Sequence, residues 1–366
     1  MKYRQSYWEA ELYNQTYDLI VVGAGLTGQS TAHFYKKEYP NTQVLVVDRG
    51  VFPIGASTRN AGFACIGTVG EHLADLEIDS EAKLKERIKD RFEGLQLLKS
   101  TLGEKAIDYQ ETGGWELVLD KKIFEKLSRH IHRFNGWMEE LIGEKDLYEA
   151  GSYNGIPSIY NRCEGMLHPG KMIKRLYQLN RDLGIEYRWN TQISSIEPES
   201  GILVIDELLS YEAENLVIAT NAFTNQLLPD KSITPGRGYI FVTNELESLE
   251  WRGTFHYNKG YVYFRNLGEK RLLIGGGRDI DPKGEETDEF GVNGDVKGFL
   301  LYFAEEVLGL PDGWKVEQEW SGIMGFTESK SPVFEKINEN CLVVAGLSGM
   351  GVALGMQLGK KAASEV

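Results

Sequence analysis

Short apolar runs alternate with amphipathic stretches along the chain and predict a mixed α/β protein. Residues 18–22 and 43–48 are apolar runs typical of buried parallel strands, and a helix is predicted between them from about 29 to 37. Apolar residues at helical spacing predict further helices over about 80–102, 122–142, 171–183 and 296–308. Further strands are predicted at 113–119, 185–189, 216–220, 239–243, 261–265, 272–275 and 341–345.

The first strand runs into a glycine-rich turn. This turn carries Gly23, Gly25, Thr27 and Gly28, and the second strand ends in Asp48, 20 positions after the last glycine. Gly23 allows a tight turn, Gly25 a close approach of the backbone to a pyrophosphate, and Gly28 close helix–strand packing. The helix N-terminus faces the phosphates, and Asp48 accepts hydrogen bonds from ribose hydroxyls. The order of these elements predicts a dinucleotide site.

A second turn of this kind follows the last strand. Gly346, Gly349 and Gly351 lead from the strand at 341–345 into a C-terminal helix, and they offer backbone donors that no side chain blocks. Gly351, Gly355 and Gly359 then share one helix face at four-residue spacing. We interpret that face as packing closely on a sheet.

Composition and charge narrow the classes of function. The chain has 366 residues, 42% of them hydrophobic and 26% charged, as expected of a folded protein with two joined domains. A net charge of −14 argues against nucleic acid or an anionic membrane as partner. Three cysteines outside any C-x-x-C or Cys/His motif predict no metal site and a cytoplasmic location. The uncharged stretch 341–359 has too many glycines for a membrane span, and residues 1–17 lack the apolar core of a signal peptide.

Taken together, several motifs resemble the FAD-dependent D-amino acid oxidase superfamily, in its glycine oxidase, sarcosine oxidase and gamma-glutamylputrescine oxidase branch. They are Gly23 to Gly28, Asp48, the loop Ser57 to Asn60, the strand end Ile218 to Thr220, and Gly346 to Gly351. The resemblance runs from Tyr17 to the chain end. It implies a Rossmann-like FAD-binding domain interleaved with an antiparallel-sheet substrate domain, an α/β (α+β) fold. We expect the FAD domain at 1–80, 145–235 and 320–366, and the substrate domain at 81–144 and 236–319.

The resemblance also implies which residues contact the cofactor. The adenosine and pyrophosphate would be held by Gly23, Gly25, Thr27, Gly28, Asp48 and Arg49. The phosphates would be followed toward the flavin by Ser57, Arg59, Asn60 and Gly62, with Ile193 on the adenine side and Thr220 near the pyrophosphate. The pyrimidine edge of the flavin would meet Gly346, Gly349, Met350 and Gly351. We expect non-covalent FAD, because Gly322 stands where sarcosine oxidases carry a tethering cysteine and residues 57–60 include no histidine.

Members of this branch oxidise a carbon–nitrogen bond by hydride transfer to flavin N5, followed by imine hydrolysis and reoxidation by oxygen. The catalytic candidates are Arg237, Tyr261, Arg265 and Met324, with Tyr239, Tyr263 and His256 as further substrate contacts unless they only pack the sheet. Met324 stands where amino-acid-oxidising relatives carry a carboxylate-binding arginine, and Leu273 lies near the position of an oxygen-activating lysine. We therefore expect a small-molecule amine, such as a polyamine derivative, rather than a free α-amino acid. Arg237 or Arg265 could replace the missing arginine.

Two other functions stay open from the residues alone. One is a dehydrogenase of a hydroxy acid or amine that passes electrons to a quinone or carrier, and the other is a non-catalytic dinucleotide-binding protein. The oligomeric state is open, as is the role of an aromatic N-terminal arm that carries Tyr3, Tyr7, Trp8 and Tyr13.

Overall fold

The computed structural model describes residues 6–13, 16–199, 202–204, 210–229 and 231–366. Tyr3 of the aromatic arm lies outside these residues. The strands are β1 Thr16–Val22, β2 Val44–Val47, β3 Phe63–Ala64, β4 Gly114–Leu117, β5 Tyr148–Tyr153, β6 Ile156–Asn161, β7 Gly165–Met166, β8 Glu186–Arg188, β9 Ser195–Glu197, β10 Ile202–Val204, β11 Ser210–Ile218, β12 Thr234–Thr243, β13 Thr254–Tyr257, β14 Val262–Leu267, β15 Arg271–Gly276, β16 Val316–Phe326, β17 Val333–Asn338 and β18 Cys341–Ala345. The helices are α1 Tyr7–Tyr13, α2 Leu26–Glu38, α3 Ala56–Arg59, α4 Val69–Asp75, α5 Glu81–Leu102, α6 Lys121–Ser128, α7 Ile131–Ile142, α8 Pro169–Asp182, α9 Gly294–Tyr302 and α10 Gly351–Ala363.

The chain forms two compact units, each built from separated segments. Unit 1 comprises residues 1–58, 170–235 and 324–366, and unit 2 comprises 59–169 and 236–323. Residues 59–80 and 145–169, which we expected in the FAD domain, belong to unit 2. One reason is that β3 pairs with β7, so these two segments bind each other there.

Unit 1 is built on a mainly parallel sheet in the order β17-β18-β11-β1-β2-β8. β1 lies between β11 and β2, with Val22 level with Ile218 and Val47, so three strands end at the same edge. β17 and β10 are antiparallel additions. The parallel strands are apolar on both faces because helices α2 and α10 cover one face and residues such as Ile193 and Ile233 cover the other.

Helix α10 packs against helix α2, which corrects the expectation that its glycine face lies on a sheet. A Cβ on Gly359 would lie 2.4 Å from Ser30 Cβ, and one on Gly355 would lie 2.9 Å from Leu26 Cδ2. Both glycines are therefore required by the close approach of two helices. Gly351 takes no part in this contact, since the nearest atom to its Cβ position is Leu347 Cδ2 at 3.9 Å.

Unit 2 is built on a largely antiparallel sheet in the order β16-β12-β15-β14-β13-β4-β6-β5, in which β13 and β4 run parallel. One face carries an aromatic core that helix α9 covers. Phe255 and Phe264 stack there with ring centroids 4.6 Å apart. The opposite face includes three of the candidate substrate residues, His256, Tyr263 and Arg265.

Several elements differ from the expectations. The predicted helix 122–142 is divided into α6 and α7, and the predicted helix 296–308 is α9 followed by a π-helical turn at Phe303–Val307. The loop predicted at 57–60 includes the short helix α3. Strands β5, β16 and β17 were not predicted, since their exposed polar residues dilute the apolar signal. Strands β6 and β13 have no exposed residue and were not predicted either. Among the helices of the described residues, none combines the length and apolar character needed to cross a membrane.

Candidate cofactor and substrate sites

The turn after β1 has no room for side chains at two of its glycines. Gly23 has φ +105°, and a Cβ there would lie 2.6 Å from the carbonyl oxygen of Ala219. A Cβ on Gly28 would lie only 1.9 Å from the carbonyl oxygen of Gly23. The turn therefore places the start of α2 directly on the end of β1, as the sequence predicted.

Helix α2 begins without a side-chain cap, because its N-cap residue is Gly25. The amide of Leu26 donates to Ser57 Oγ at 2.9 Å, and a Cβ on Gly25 would lie 3.0 Å from the same oxygen. Thr27 is buried in the first turn of the helix. Ser57 takes up one amide here, and the backbone amides at a helix start together with the helix dipole favour an anion at this end.

Asp48 is fixed at the end of β2 by two backbone hydrogen bonds. The amide of Ala24 donates to Oδ2 and the amide of Gly50 donates to Oδ1, both at 2.8 Å. Burial raises the pKa of Asp48, while these hydrogen bonds and the charge of Arg49 oppose the rise. Each carboxylate oxygen keeps a further lone pair, so a ribose hydroxyl can still donate to it. The guanidinium of Arg49 lies 4.0 Å from the ring centroid of Phe223.

The second glycine-rich turn, after β18, adopts a left-handed backbone. Gly346, Ser348 and Gly349 have φ values of 74°, 48° and 84°. The amide of Gly346 donates to Asn221 Oδ1 at 3.0 Å, and the amide of Ser348 donates to the carbonyl oxygen of Gly325 at 2.9 Å. A Cβ on Gly349 would meet nothing within 4 Å, so this backbone is open beside the start of α10 at Gly351. Sequence reasoning missed the part played by Asn221, which is distant in the chain.

Three further cofactor candidates, Thr220, Ile193 and Met350, also belong to unit 1. Thr220 Oγ1 lies 3.0 Å from Thr224 Oγ1, directly after β11. Ile193 is buried in the core on the face of the sheet opposite α2. Met350 is the N-cap residue of α10.

The loop candidates divide between the units, because Ser57 belongs to unit 1 and residues 59–62 belong to unit 2. Arg59 Nη1 donates to the carbonyl oxygen of Ser321 at 2.8 Å, and its guanidinium lies 4.6 Å from the ring centroid of Phe290. Asn60 Oδ1 accepts from the amide of Gly62 at 2.8 Å. A Cβ on Gly62 would lie 2.2 Å from the carbonyl oxygen of Leu167, so the backbone there requires glycine.

Strand register brings three of the substrate candidates, His256, Tyr263 and Arg265, to one face of the sheet of unit 2. Tyr263 is level with His256 on β13 and with Gly275 on β15, and Arg265 is level with Leu273. A Cβ on Gly275 would lie 2.6 Å from Tyr263 Cε2, so the tyrosine ring occupies space that a side chain at position 275 would fill. Burial raises the pKa of Tyr263, which keeps its hydroxyl protonated at neutral pH.

Arg265 is buried on this face and is bound by backbone carbonyls alone among the described residues. Nε donates to the carbonyl oxygen of Ala61 at 2.5 Å, and Nη2 donates to that of Leu167 at 3.2 Å. Burial without a nearby carboxylate lowers the pKa of Arg265 to about 10. The side chain stays charged at neutral pH and holds the chain on either side of the β3–β7 pair.

The other catalytic candidates are placed differently. Arg237 donates from Nη2 to Glu285 Oε1 at 2.8 Å, so its charge is already paired. Tyr261 is exposed just before β14, with the Arg278 guanidinium 5.4 Å from its ring centroid. Tyr239 is buried on the opposite, aromatic face and its hydroxyl donates to Glu319. Met324 lies half-buried on β16, at the point where the chain passes from unit 2 to unit 1.

The structure also assembles a buried group that the sequence did not reveal. Cys65, Glu164 and His256 are distant in the chain but lie together in unit 2, although no metal site was predicted. Motif spacing could not indicate this group, because each residue comes from a different segment of the chain.

A parallel sheet with two glycine-rich strand-to-helix turns, together with a separate antiparallel sheet, defines a dinucleotide-binding protein with a second domain. The chain belongs to the family described as FAD dependent oxidoreductase (DAO), which matches residues 18–365. It is therefore an FAD-dependent oxidoreductase, as the motifs predicted.

Relatives match over nearly the whole chain. Glycine oxidase of Bacillus licheniformis is 25% identical over 96% of this chain and 93% of its own length. Gamma-glutamylputrescine oxidoreductase of Escherichia coli (strain K12) is 24% identical over 92% of this chain and 80% of its own. The crystal structure of glycine oxidase from Geobacillus kaustophilus has a TM-score of 0.74, 20% identity, and coverage of 94% and 93% of the two chains. At that identity the structural likeness supports the fold alone.

The residues of unit 1 fit FAD. A Cβ would fill the turn at Gly23 and Gly28, the N-cap residue Gly25 of α2 offers no side-chain cap, and Asp48 is fixed at the end of β2. The open backbone at Gly349 offers further donors beside α10. These groups are of the kinds that contacts to the phosphates, ribose and ring of a flavin dinucleotide require.

Proposed function

We propose that this protein oxidises the carbon–nitrogen bond of a small amine or amino-acid derivative and uses oxygen as the final electron acceptor. The observation that carries the proposal is the pair of glycine-rich turns on one sheet. These turns suit a dinucleotide, and the relatives of this FAD-dependent family include a glycine oxidase and a gamma-glutamylputrescine oxidoreductase. Bound FAD supplies the hydride acceptor at N5 and returns the electrons to oxygen.

The protein chain binds the cofactor and the substrate and orients them. The uncapped start of α2 and the carboxylate of Asp48 hold the adenosine diphosphate part in place. We propose that the turn at residues 346–351 places backbone N–H groups at the pyrimidine edge, where reduction adds negative charge. The lone pair of the amine nitrogen forms the C=N bond as hydride leaves the neighbouring carbon. Water then hydrolyses the imine. No catalytic base is needed for this step.

We propose that the substrate is an amine without an α-carboxylate, such as a polyamine derivative. A carboxylate in a partly dry pocket requires a cationic partner, and the Met324 thioether provides none. Arg237 is unsuited to this role because Glu285 already pairs with it at 2.8 Å. Arg265 is held by the carbonyls of Ala61 and Leu167, which gives it a structural task.

The test is anaerobic reduction of the yellow holoprotein by a panel of amines, followed by exposure to air. We expect rapid bleaching with amines that lack an α-carboxylate, and recovery of colour in air. Bleaching only by glycine, sarcosine or D-alanine would contradict the proposed substrate class. Bleaching only by hydroxy acids, or no recovery in air, would favour a dehydrogenase that uses a quinone or carrier.

Two arginine variants separate a carboxylate-binding role from a structural one. Under the proposal, Arg265→Gln lowers the melting temperature but changes KM for the best amine by less than about threefold, since no substrate charge is lost. Arg237→Gln is the matched control. A rise in KM of about tenfold or more in Arg265→Gln alone would show that Arg265 binds a substrate anion, because a hydrogen bond to a charged group contributes about 1.5–3 kcal/mol.

We also propose that the protein works in the reducing cytoplasm. Its three cysteines are free, and Cys65 and Cys341 are buried. Activity retained in excess dithiothreitol would agree with this location, whereas a requirement for oxidised cysteine would contradict it.

A further inference from the structure

A group of three ligand-type side chains lies in unit 2 and includes His256, which the sequence offered only as a further substrate contact. Cys65 directly follows β3, Glu164 directly precedes β7, and His256 lies on β13. One potential ligand atom from each lies within 4.8 Å of the others, and all three residues are buried. A thiol, a carboxyl group and an imidazole thus meet in the interior without solvent.

Only one of the two side-chain oxygens of Glu164 has a hydrogen-bond partner among the described residues. Oε1 lies 2.5 Å from His256 Nε2, whereas Oε2 is buried and has no hydrogen-bond partner among the described residues. A Cβ on Gly114 would lie 2.4 Å from Oε2, so the carboxylate is seated where only glycine leaves space. A buried carboxylate oxygen without a donor is costly, and a cation is one of the few groups that would compensate it.

Acidic side chains outnumber basic ones around the group. Glu116 lines the same small cavity as Glu164 and His256, and it accepts from the amide of Gly70 at 3.0 Å. The cation Arg91 is engaged with Glu71 at 2.9 Å. Two carboxyl groups, those of Glu116 and Glu164, thus share this small interior space with the single imidazole of His256.

We propose that Cys65, Glu164 and His256 bind a divalent cation of the zinc type, which ties together three segments of unit 2. Thiolate, imidazole and carboxylate are the ligands that Zn²⁺ accepts together, whereas Mg²⁺ and Ca²⁺ prefer oxygen alone. Glu116 lines the same cavity as Glu164 and His256, and we propose it as the fourth ligand, which would give up its contact with the amide of Gly70. The site is closed to solvent, so its role is to stabilise the unit and not to activate water.

Binding exchanges protons for the metal. The Cys65 thiol proton and the proton shared by His256 and Glu164 leave, and the 2.5 Å contact between these two opens to roughly 3.3 Å, the spacing set by tetrahedral bonds of about 2.0–2.1 Å. The amide of Gly67 donates to the sulfur of Cys65 and would support the thiolate as a second-shell donor.

The experiment measures metal content in the full-length holoprotein produced in zinc- or cobalt-supplemented medium, so that the ion is present as the chain folds. We expect about one zinc per chain after exhaustive dialysis against a weak chelator, loss of that zinc in Cys65→Ser and His256→Gln, and retention in Cys163→Ser. Cys163 is a free, half-buried cysteine of the same unit and serves as the matched control. Cobalt should give ligand-field bands on the red side of the flavin absorption.

Other results would overturn the proposal. Wild-type protein without zinc or cobalt, or a Cys65→Ser variant that keeps the full metal content, would show that Glu164 and His256 form a metal-free pair. If the His256→Gln variant does not fold, the metal content of the Cys65→Ser variant alone decides, because serine is nearly isosteric with cysteine. A melting temperature that falls on metal removal in wild type but not in Cys65→Ser would give independent support.

Discussion

Replacing Gly28 by alanine tests how the glycine turn holds the cofactor. The new Cβ would lie 1.9 Å from the carbonyl oxygen of Gly23 and 3.1 Å from Val21 Cγ1. The obstacle is backbone at the end of β1 and not a flexible side chain, so α2 must move away from the strand by more than 1 Å, about the shortfall from van der Waals contact.

That movement displaces the amides at the start of α2 from the phosphate position. Overpacking of this kind costs about 1–3 kcal/mol, and the backbone clash places this variant at the upper end. If about 3 kcal/mol is lost from the bound state, the Kd for FAD rises about 100-fold, since every 1.4 kcal/mol is tenfold.

The assay is fluorescence titration of the apoprotein with FAD, together with flavin retention through gel filtration. Gly298→Ala is the matched control, because this exposed helical glycine of α9 has nothing within 4 Å of its Cβ position. We expect the control to bind FAD like wild type. A Gly28→Ala protein with wild-type Kd and full flavin content would refute the reasoning about the turn.

Three further predictions concern cofactor binding and pH dependence. Asp48→Ala removes an acceptor that also fixes the amides of Ala24 and Gly50, so FAD affinity should fall by about 100-fold or more, and stoichiometric flavin after gel filtration would contradict this. FAD should be released on acid precipitation of the protein, and flavin that stays in the pellet would show a covalent link. Burial lowers the pKa of His33, whose Nδ1 lies 2.9 Å from Asn180 Oδ1. The neutral imidazole of His33 is therefore favoured in the folded state. The contribution of His33 to the free energy of unfolding is complete above the unfolded-state pKa, near 6.5, and is lost as the pH falls below that value. Urea unfolding should show a smaller loss between neutral and acidic pH in His33→Gln than in wild type, and equal losses would count against it.

Local sequence determined the dinucleotide-binding half of this protein. A strand, three glycines, a helix and a terminal acid must form one βαβ unit, because each residue type meets a steric or hydrogen-bonding need within about 30 residues. The structure agrees at Gly23, Gly28 and Asp48, and the predicted strand at 341–345 coincides with β18. The family, the cofactor and the mixed α/β architecture followed from these motifs.

Tertiary structure alone decided how distant segments meet. The partners of Gly355 and Gly359 are on α2, because helix–helix contact depends on the placement of both helices over the sheet. The pairing of Arg237 with Glu285 and the meeting of Cys65, Glu164 and His256 join residues that no local pattern connects. Periodicity reports which face of an element is buried, but strand order and register determine what that face touches, and these are set by the whole chain.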